Sequence, residues 1–420
     1  MIRTLLYGKK RRDRWWRYLT LRDAFLKAQA QAEPAKALAD ASRRLGYGDP
    51  GPNLLQRWCD LVQLGAGRSS SLSHDAEKAA IAGVQSMDHS ELSVLAWLDF
   101  FHLGLGIGLY HLADSFREKG IERAVLAAKT PDPRRDEIIL GFYGNLEKGD
   151  YQAAARLVEQ FEVAGCTQLQ IDQARWLLNL FSTPLQGQSQ KFGPPALAED
   201  RRFGQFIEGK SVALVGPAPT EAESGPEIDR QDVVVKFSYR GGDKGRDPAT
   251  QGRRLDVSYY NNTQAQALAR GNFREVLADI EWGVCINRKG RSRFPMQLDN
   301  MRQIASLQWL LPDTHFNAGP NAVIDLLRFN PGIIRIFNTD LMLSAGRYAG
   351  YRPAGAKPIE YTRSFIKTHD PVLQFKTMHR LWELGYIVGD QRFEEVMGLG
   401  LNEYLAQLQK VHGANEQALL

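Results

Sequence analysis

The sequence predicts a mostly parallel α/β sheet in its second half, preceded by an all-α domain of helical hairpins. Short β-branched runs at Ser211–Val215, Asp232–Phe237, Leu255–Tyr260, Gly283–Ile286 and Ile333–Phe337 alternate with helical stretches such as Thr263–Ile280 and Ala322–Phe329. Strands alternating with helices form parallel sheets covered on both faces. The first half differs. There, apolar residues recur at helical spacing over Leu21–Leu45, Asp75–Gln85, Glu91–Leu105, Leu109–Lys119, Asp136–Lys148 and Tyr151–Ala164. Between the halves, Ser182–Pro195 is rich in Gly, Pro and Gln without periodicity, the composition of a linker. The expected division is a helical domain at 1–181, a linker at 182–206 and an α/β domain at 207–420.

The most informative part of the first half is Ile138–Ala154. A helix, a Gly149-Asp150 turn, then Tyr151 and small alanines resemble a tetratricopeptide-type hairpin. One such hairpin cannot bury its face alone, so neighbours are expected to stack on it. No clean second copy aligns, and an irregular helical domain is the other reading. A protein partner for this domain is one expectation.

Composition narrows the class. The chain has 420 residues, a net charge of +5 and ordinary globular proportions of apolar and charged residues. No apolar run reaches the roughly 18–20 residues of a membrane helix, and Met1–Arg14 lacks the apolar core of a secretory signal. Cys59, Cys166 and Cys285 are far apart and match no metal or disulfide spacing. These features predict a reduced, cytoplasmic protein. The basic run Lys9–Arg17, with Trp15 and Trp16 inside it, is either a solvated helix start packed on its neighbour or a peripheral contact with an anionic membrane surface. No basic stripe continues beyond it, which argues against nucleic acid.

Three motifs match in letters only. Gly204–Ser211 spells a phosphate loop, but a strand follows it where the mechanism needs a helix. Gly104, Gly106 and Gly108 fall in a helical stretch and fit close helix packing, with His102 and His111 as core or interface residues. A serine elbow is absent.

Three later segments belong together. Ser211–Thr220 reads as a strand ending in the Gly216-Pro217-Ala218 turn, and Asp232–Arg240 as a strand ending near Ser238. Such turns place backbone amides and hydroxyls at the sheet's carboxyl edge, where a nucleotide phosphate can be received. His315–Leu327 contains a small-polar corner, Asn317-Ala318-Gly319, at a helix start, followed by the strand Ile333–Phe337 and Asp340. Finally, Thr368-His369-Asp370-Pro371 leads into a helix over Val372–Leu384.

In this order the segments resemble the sialyl motifs of animal sialyltransferases and the matching parts of Campylobacter-type bacterial sialyltransferases. The strand ending in Asn261-Asn262 is similar to the bacterial family's strand that ends in a nucleotide-contacting asparagine. The resemblance covers Ser211–Gly385. It implies a Rossmann-like sheet of the sialyltransferase-type GT-A variant, and an inverting transfer of an acidic ulosonic sugar from a CMP-activated donor to a hydroxyl of a glycan or glycolipid. It implies no cofactor and no metal, and the α/β half contains no Asp-x-Asp.

By the same resemblance, Gly216, Pro217, Ala218, Ser238, Asn261, Asn262, Asn317, Ala318, Gly319 and Asp340 would hold the nucleotide. His369 would be the base, a role that suits an imidazole titrating near working pH. Tyr348 and Tyr351, with Arg347 and Arg352 beside them, would serve the departing phosphate. Three positions depart from the family pattern: Pro217 and Ser238 stand where asparagines are usual, and Ala318 where Ser or Thr is usual. The animal motif cysteines are missing. Another CMP-sugar, such as CMP-Kdo or CMP-pseudaminic acid, is therefore an alternative donor. A non-catalytic scaffold with a degenerate transferase domain is the alternative role.

Overall fold

The computed structural model describes residues 13–30, 33–66, 74–185, 198–242, 247–351, 355 and 360–413. From Arg14 to Ser182 these residues form helices and no strand. After them comes a sheet of seven parallel strands: β1 (Ser211–Val215), β2 (Val233–Phe237), β3 (Val257–Tyr260), β4 (Trp282–Cys285), β5 (Met301–Gln303), β6 (Ile333–Phe337) and β7 (Ile387–Gly389). Their order is β5-β4-β3-β2-β1-β6-β7. β1 and β2 are almost wholly buried and, apart from Ser211 and Lys236, apolar, as strands covered on both faces must be. The chain runs outward from β1 to β5 and returns to place β6 on the free side of β1, with Val215 beside Phe337. The topology therefore switches between β1 and β6, where a crevice opens at the strands' carboxyl ends.

Several expectations need adjustment. Leu21–Leu45 is two helices, Arg14–Ala30 and Pro34–Leu45. Pro34 has no amide to continue a helix and instead begins one. Thr263–Ile280 is likewise two helices, Asn262–Arg270 and Phe273–Ala278, parted at Gly271. The end of the expected linker is helical over Ala198–Ile207, because Phe203 and Ile207 are fully buried against the sheet. Residues 186–197 lie outside the described residues. This helix before β1 gives the helix–strand order that a phosphate loop cannot use.

The two halves share one hydrophobic core. Gly104 and Gly106 permit close packing: an added Cβ would lie 2.9 Å from the Ala113 Cβ and 2.6 Å from the Tyr18 hydroxyl. His102 is buried among these helices, and desolvation holds its pKa well below that of free histidine. In the Ile138–Ala154 hairpin, Gly149 takes φ +77° and the Asp150 side chain caps the second helix. Gly141 and Gly144 let its first helix approach Ala128 and Val125.

Ion pairs also join the halves. Arg17 is buried, pairs with Asp99 at 2.8 Å and reaches Asp313, which Arg14 meets at 3.4 Å. This part of the basic amino-terminal cluster thus faces inward, and Trp15 stacks on Tyr18 beneath Arg363. Residues 1–12, with the rest of the cluster, lie outside the described residues. No helix among the described residues is long and apolar enough to cross a membrane.

Candidate functional site

A cavity of about 510 Å³ opens above the carboxyl ends of the strands at the switch point. Gly216, Pro217 and Ala218 line it from β1, Asn261 and Asn262 from β3, and Asn338 to Met342 from β6. The corner His315–Pro320 and the turn Thr368–His369 line it from above the sheet. Of the residues expected to hold a nucleotide, only Ser238 does not line this cavity. It ends β2 in a left-handed conformation, φ +58°, and its amide donates to Tyr259 O. Tyr351 lines the cavity. Tyr348 does not, but its ring meets Tyr351 edge-on at 5.5 Å and its amide donates to Pro217 O at 3.1 Å. Arg352 lies outside the described residues.

The glycine turn differs from its expected chemistry. Gly216 N donates to Phe337 O at 2.7 Å, Ala218 N donates to Asn338 O at 3.0 Å, and Pro217 has no amide. The turn thus closes β1 onto β6 and offers no donor for a phosphate. A glycine is needed for that closure, because a Cβ at 216 would sit 2.4 Å from Asn338 O. Asn261 is also already engaged, in a reciprocal cap with Gln264 (both bonds 2.9 Å). Asn262 accepts from Arg293 at 3.3 Å.

Donors remain elsewhere. The helix Ala318–Leu327 starts at the cavity wall, and its Asn317 N-cap makes no side-chain cap bond. The amides of Ala318 and Gly319, in its first turn, have no intrahelical acceptor. Asp340 and Arg347 are the charged side chains of the lining. The Arg347 guanidinium lies over the Tyr351 ring, 4.8 Å from its centre, and bonds to Tyr361.

Five buried polar atoms of the lining lack a partner: Asn317 Oδ1, Asn338 Oδ1, Asp340 Oδ2, Arg347 Nε and His369 Nδ1. Buried polar groups are nearly always satisfied, so such a cluster calls for water or a ligand. Three of the five are oxygens that accept, a set matched by hydroxyls and an amine, while Arg347 Nε is a donor suited to an anion. His369 sits at the wall with its ring 6.0 Å from that of His315. Desolvation, then the nearby His315, Arg347 and Arg14, push its pKa down to about 3. The ring is therefore neutral at physiological pH but, unlike the expected imidazole titrating near working pH, a weak base in the empty cavity, which a bound negative charge would strengthen.

Sequence reasoning missed Gln374. This fully buried side chain accepts from Asn317 N at 2.9 Å and donates to His315 O at 3.3 Å, fixing the corner from the helix Pro371–Glu383. Its only signal is a polar residue inside the apolar run Val372-Leu373-Gln374-Phe375. Cys59, Cys166 and Cys285 are all free thiols outside the cavity. Among the described residues, no group of three or more His, Cys, Asp or Glu is placed to hold a metal ion. Neither a protein-family model nor a curated protein matches this chain.

Proposed function

We propose that this chain is an inverting glycosyltransferase of sialyltransferase type, moving an acidic ulosonic sugar from a CMP-activated donor to a glycan hydroxyl. One observation carries the reading. The Gly216 turn, the Asn317–Gly319 corner and His369, which bear the sequence resemblance, line a single cavity at the switch point of a parallel sheet. Its volume falls within the range of about 300–1,000 Å³ usual for small-molecule sites.

The unpartnered oxygens of Asn317, Asn338 and Asp340 suit the cytosine amine and the ribose hydroxyls, all of which donate. Arg347 and the amides of Ala318 and Gly319 suit the phosphate and the sugar carboxylate. In the transfer, the acceptor oxygen attacks the anomeric carbon as its proton passes to the neutral His369 ring. The bond from that carbon to the phosphate oxygen breaks, and its electron pair leaves on CMP. Donors on the phosphate stabilise that charge. Tyr351 and Tyr348 pack at this wall and position Arg347.

The donor sugar is sialic acid or a related ulosonate such as Kdo or pseudaminic acid, and the acceptor is a glycan or glycolipid of bacterial surface type. The tetratricopeptide-like half is a candidate protein-binding surface, and the basic residues 9–12 are candidates for peripheral membrane contact. A second reading, nucleotide binding without turnover, is favoured by the amides of Gly216 and Ala218 being already paired. The deciding experiment is a thermal-shift series with CMP, UDP and ADP, followed by transfer and hydrolysis assays on a panel of CMP-ulosonates. Stabilisation by CMP alone together with turnover supports transfer. CMP binding with no turnover across the panel supports the second reading, and preference for another nucleotide removes both.

A further inference from the structure

One buried arginine of the helical half reaches the turn that carries His369. Arg117, in the helix Tyr110–Ala127, has no exposed surface. Its Nε donates to Asp370 Oδ2 at 2.9 Å, and its two terminal nitrogens donate to Glu147 at 2.5 and 2.8 Å. Lys376 donates to the same Glu147 at 2.9 Å. Asp370 directly follows His369 and caps the helix Pro371–Glu383, its Oδ1 accepting from Leu373 N at 2.9 Å. One turn on, Gln374 of that helix grips the His315 and Asn317 backbone. Both walls above the sheet therefore hang on one helix, and that helix is tied to Arg117.

We propose that Arg117, acting through Asp370, is a positioning residue for His369 and the Asn317 corner, so that the cavity is complete only when the helical half is docked. A helix cap alone needs no buried cation, since exposed caps are satisfied by amides and water. A carboxylate with 2% exposure needs a charged partner. The planar, forked guanidinium of Arg117 fixes the direction of that partner, which a lysine would not. Buried ion pairs are often no better for stability than apolar packing, so a fixed arrangement is the more specific gain here. The inference rests on the proposed function in taking His369 as the proton acceptor.

The test uses the full chain with Asp370→Asn, which keeps the cap oxygen and the size but removes the charge. Arg117→Lys keeps the charge and loses the fork. Leu38→Ala, in the distant helix Pro34–Leu45, is the stability control. Three quantities are read: CMP affinity, CMP-sugar turnover, and titration of the His369 ring by NMR of ¹³C-labelled histidine. In Asp370→Asn, turnover is expected to fall at least about tenfold more than CMP affinity. Its ring is expected to titrate above about pH 5 as water enters. Arg117→Lys is expected to lie between it and wild type, and Leu38→Ala to melt lower with neither change.

Turnover and ring titration that stay at wild-type levels in Asp370→Asn overturn the proposal. Equal losses in Leu38→Ala also overturn it, by reducing the effect to stability. If Asp370→Asn does not fold, Arg117→Lys carries the same comparison. If the wild type binds no CMP, the proposed function falls, and ring titration alone then judges the positioning role.

Discussion

Replacing Gly216 with alanine tests the closure of β1 onto β6. The new Cβ would lie 2.1 Å from Thr339 Oγ1 and 2.4 Å from Asn338 O. The threonine hydroxyl can turn aside, but the Asn338 carbonyl is backbone. A carbon and a carbonyl oxygen rest at about 3.3 Å, so that carbonyl must retreat by about 1 Å. The retreat weakens Ala218 N to Asn338 O and Gly216 N to Phe337 O, now 3.0 and 2.7 Å. Two such bonds contribute about 0.5–1.5 kcal/mol each. With some residual strain, the expected cost is about 2–4 kcal/mol. For a chain of this size that corresponds to a fall in Tm of about 2–5 °C. Thermal melting with and without CMP reads both stability and site, and the stabilisation by CMP is expected to shrink as well. A variant that melts within a degree of wild type and keeps its full CMP shift refutes the closure and the crevice built on it.

Other outcomes follow from the same cavity. His369→Asn is expected to lower turnover by about 10²–10⁴-fold with CMP affinity nearly unchanged, which isothermal titration and steady-state kinetics separate. Because the free-enzyme ring titrates near 3, kcat/KM is expected to stay flat down to about pH 5, and a limb centred near 6.5 would contradict the assignment. The limb in kcat is expected at higher pH, since the bound donor's negative charge favours the protonated ring. The stability sign is fixed too. The unfolded chain protonates this ring below about 6.5 and the folded chain does not, so its contribution is full above that pH and lost as the pH falls towards 3. Arg347→Met is expected to weaken CMP-sugar binding about tenfold or more, measured by titration with the donor. Turnover in a chelator is expected to match turnover without it, and loss that added divalent ions restore would refute the metal-independent reading.

The strands that the sequence reveals are the central ones. β1 and β6 are found residue for residue, because short, mostly apolar runs that end at glycine or asparagine leave little room for other readings. β5 and β7 are three residues long and escape notice, since a pattern of period two needs more residues to declare itself. The left-handed backbone at Ser238, Asn338, Leu341 and Met342 leaves no compositional trace except at the asparagine. The placement of Gly216, Asn317 and His369 around one cavity follows from motif order and the switch-point rule. What each atom is bonded to does not. The glycine turn suggests open amides, and only the register of β1 against β6 shows them paired. Gln374 and Arg117 are invisible for the same reason: their partners lie far away in sequence.

The buried ion pairs also constrain how the chain can be made. Arg117 and Asp370 stand 253 residues apart, and Arg17 and Asp313 stand 296 apart. During synthesis each arginine meets its nearer carboxylate first, Glu147 for Arg117 and Asp99 for Arg17, and its distant one much later, and β1 must wait for β6 before its second edge is covered. Contacts of such long range close slowly, and intermediates with open strand edges are prone to aggregate. Expression of this protein therefore depends on the carboxyl-terminal third arriving intact, and a ribosome that stalls before Asp370 leaves Arg117 with Glu147 but without the carboxylate that ties it to the His369 turn.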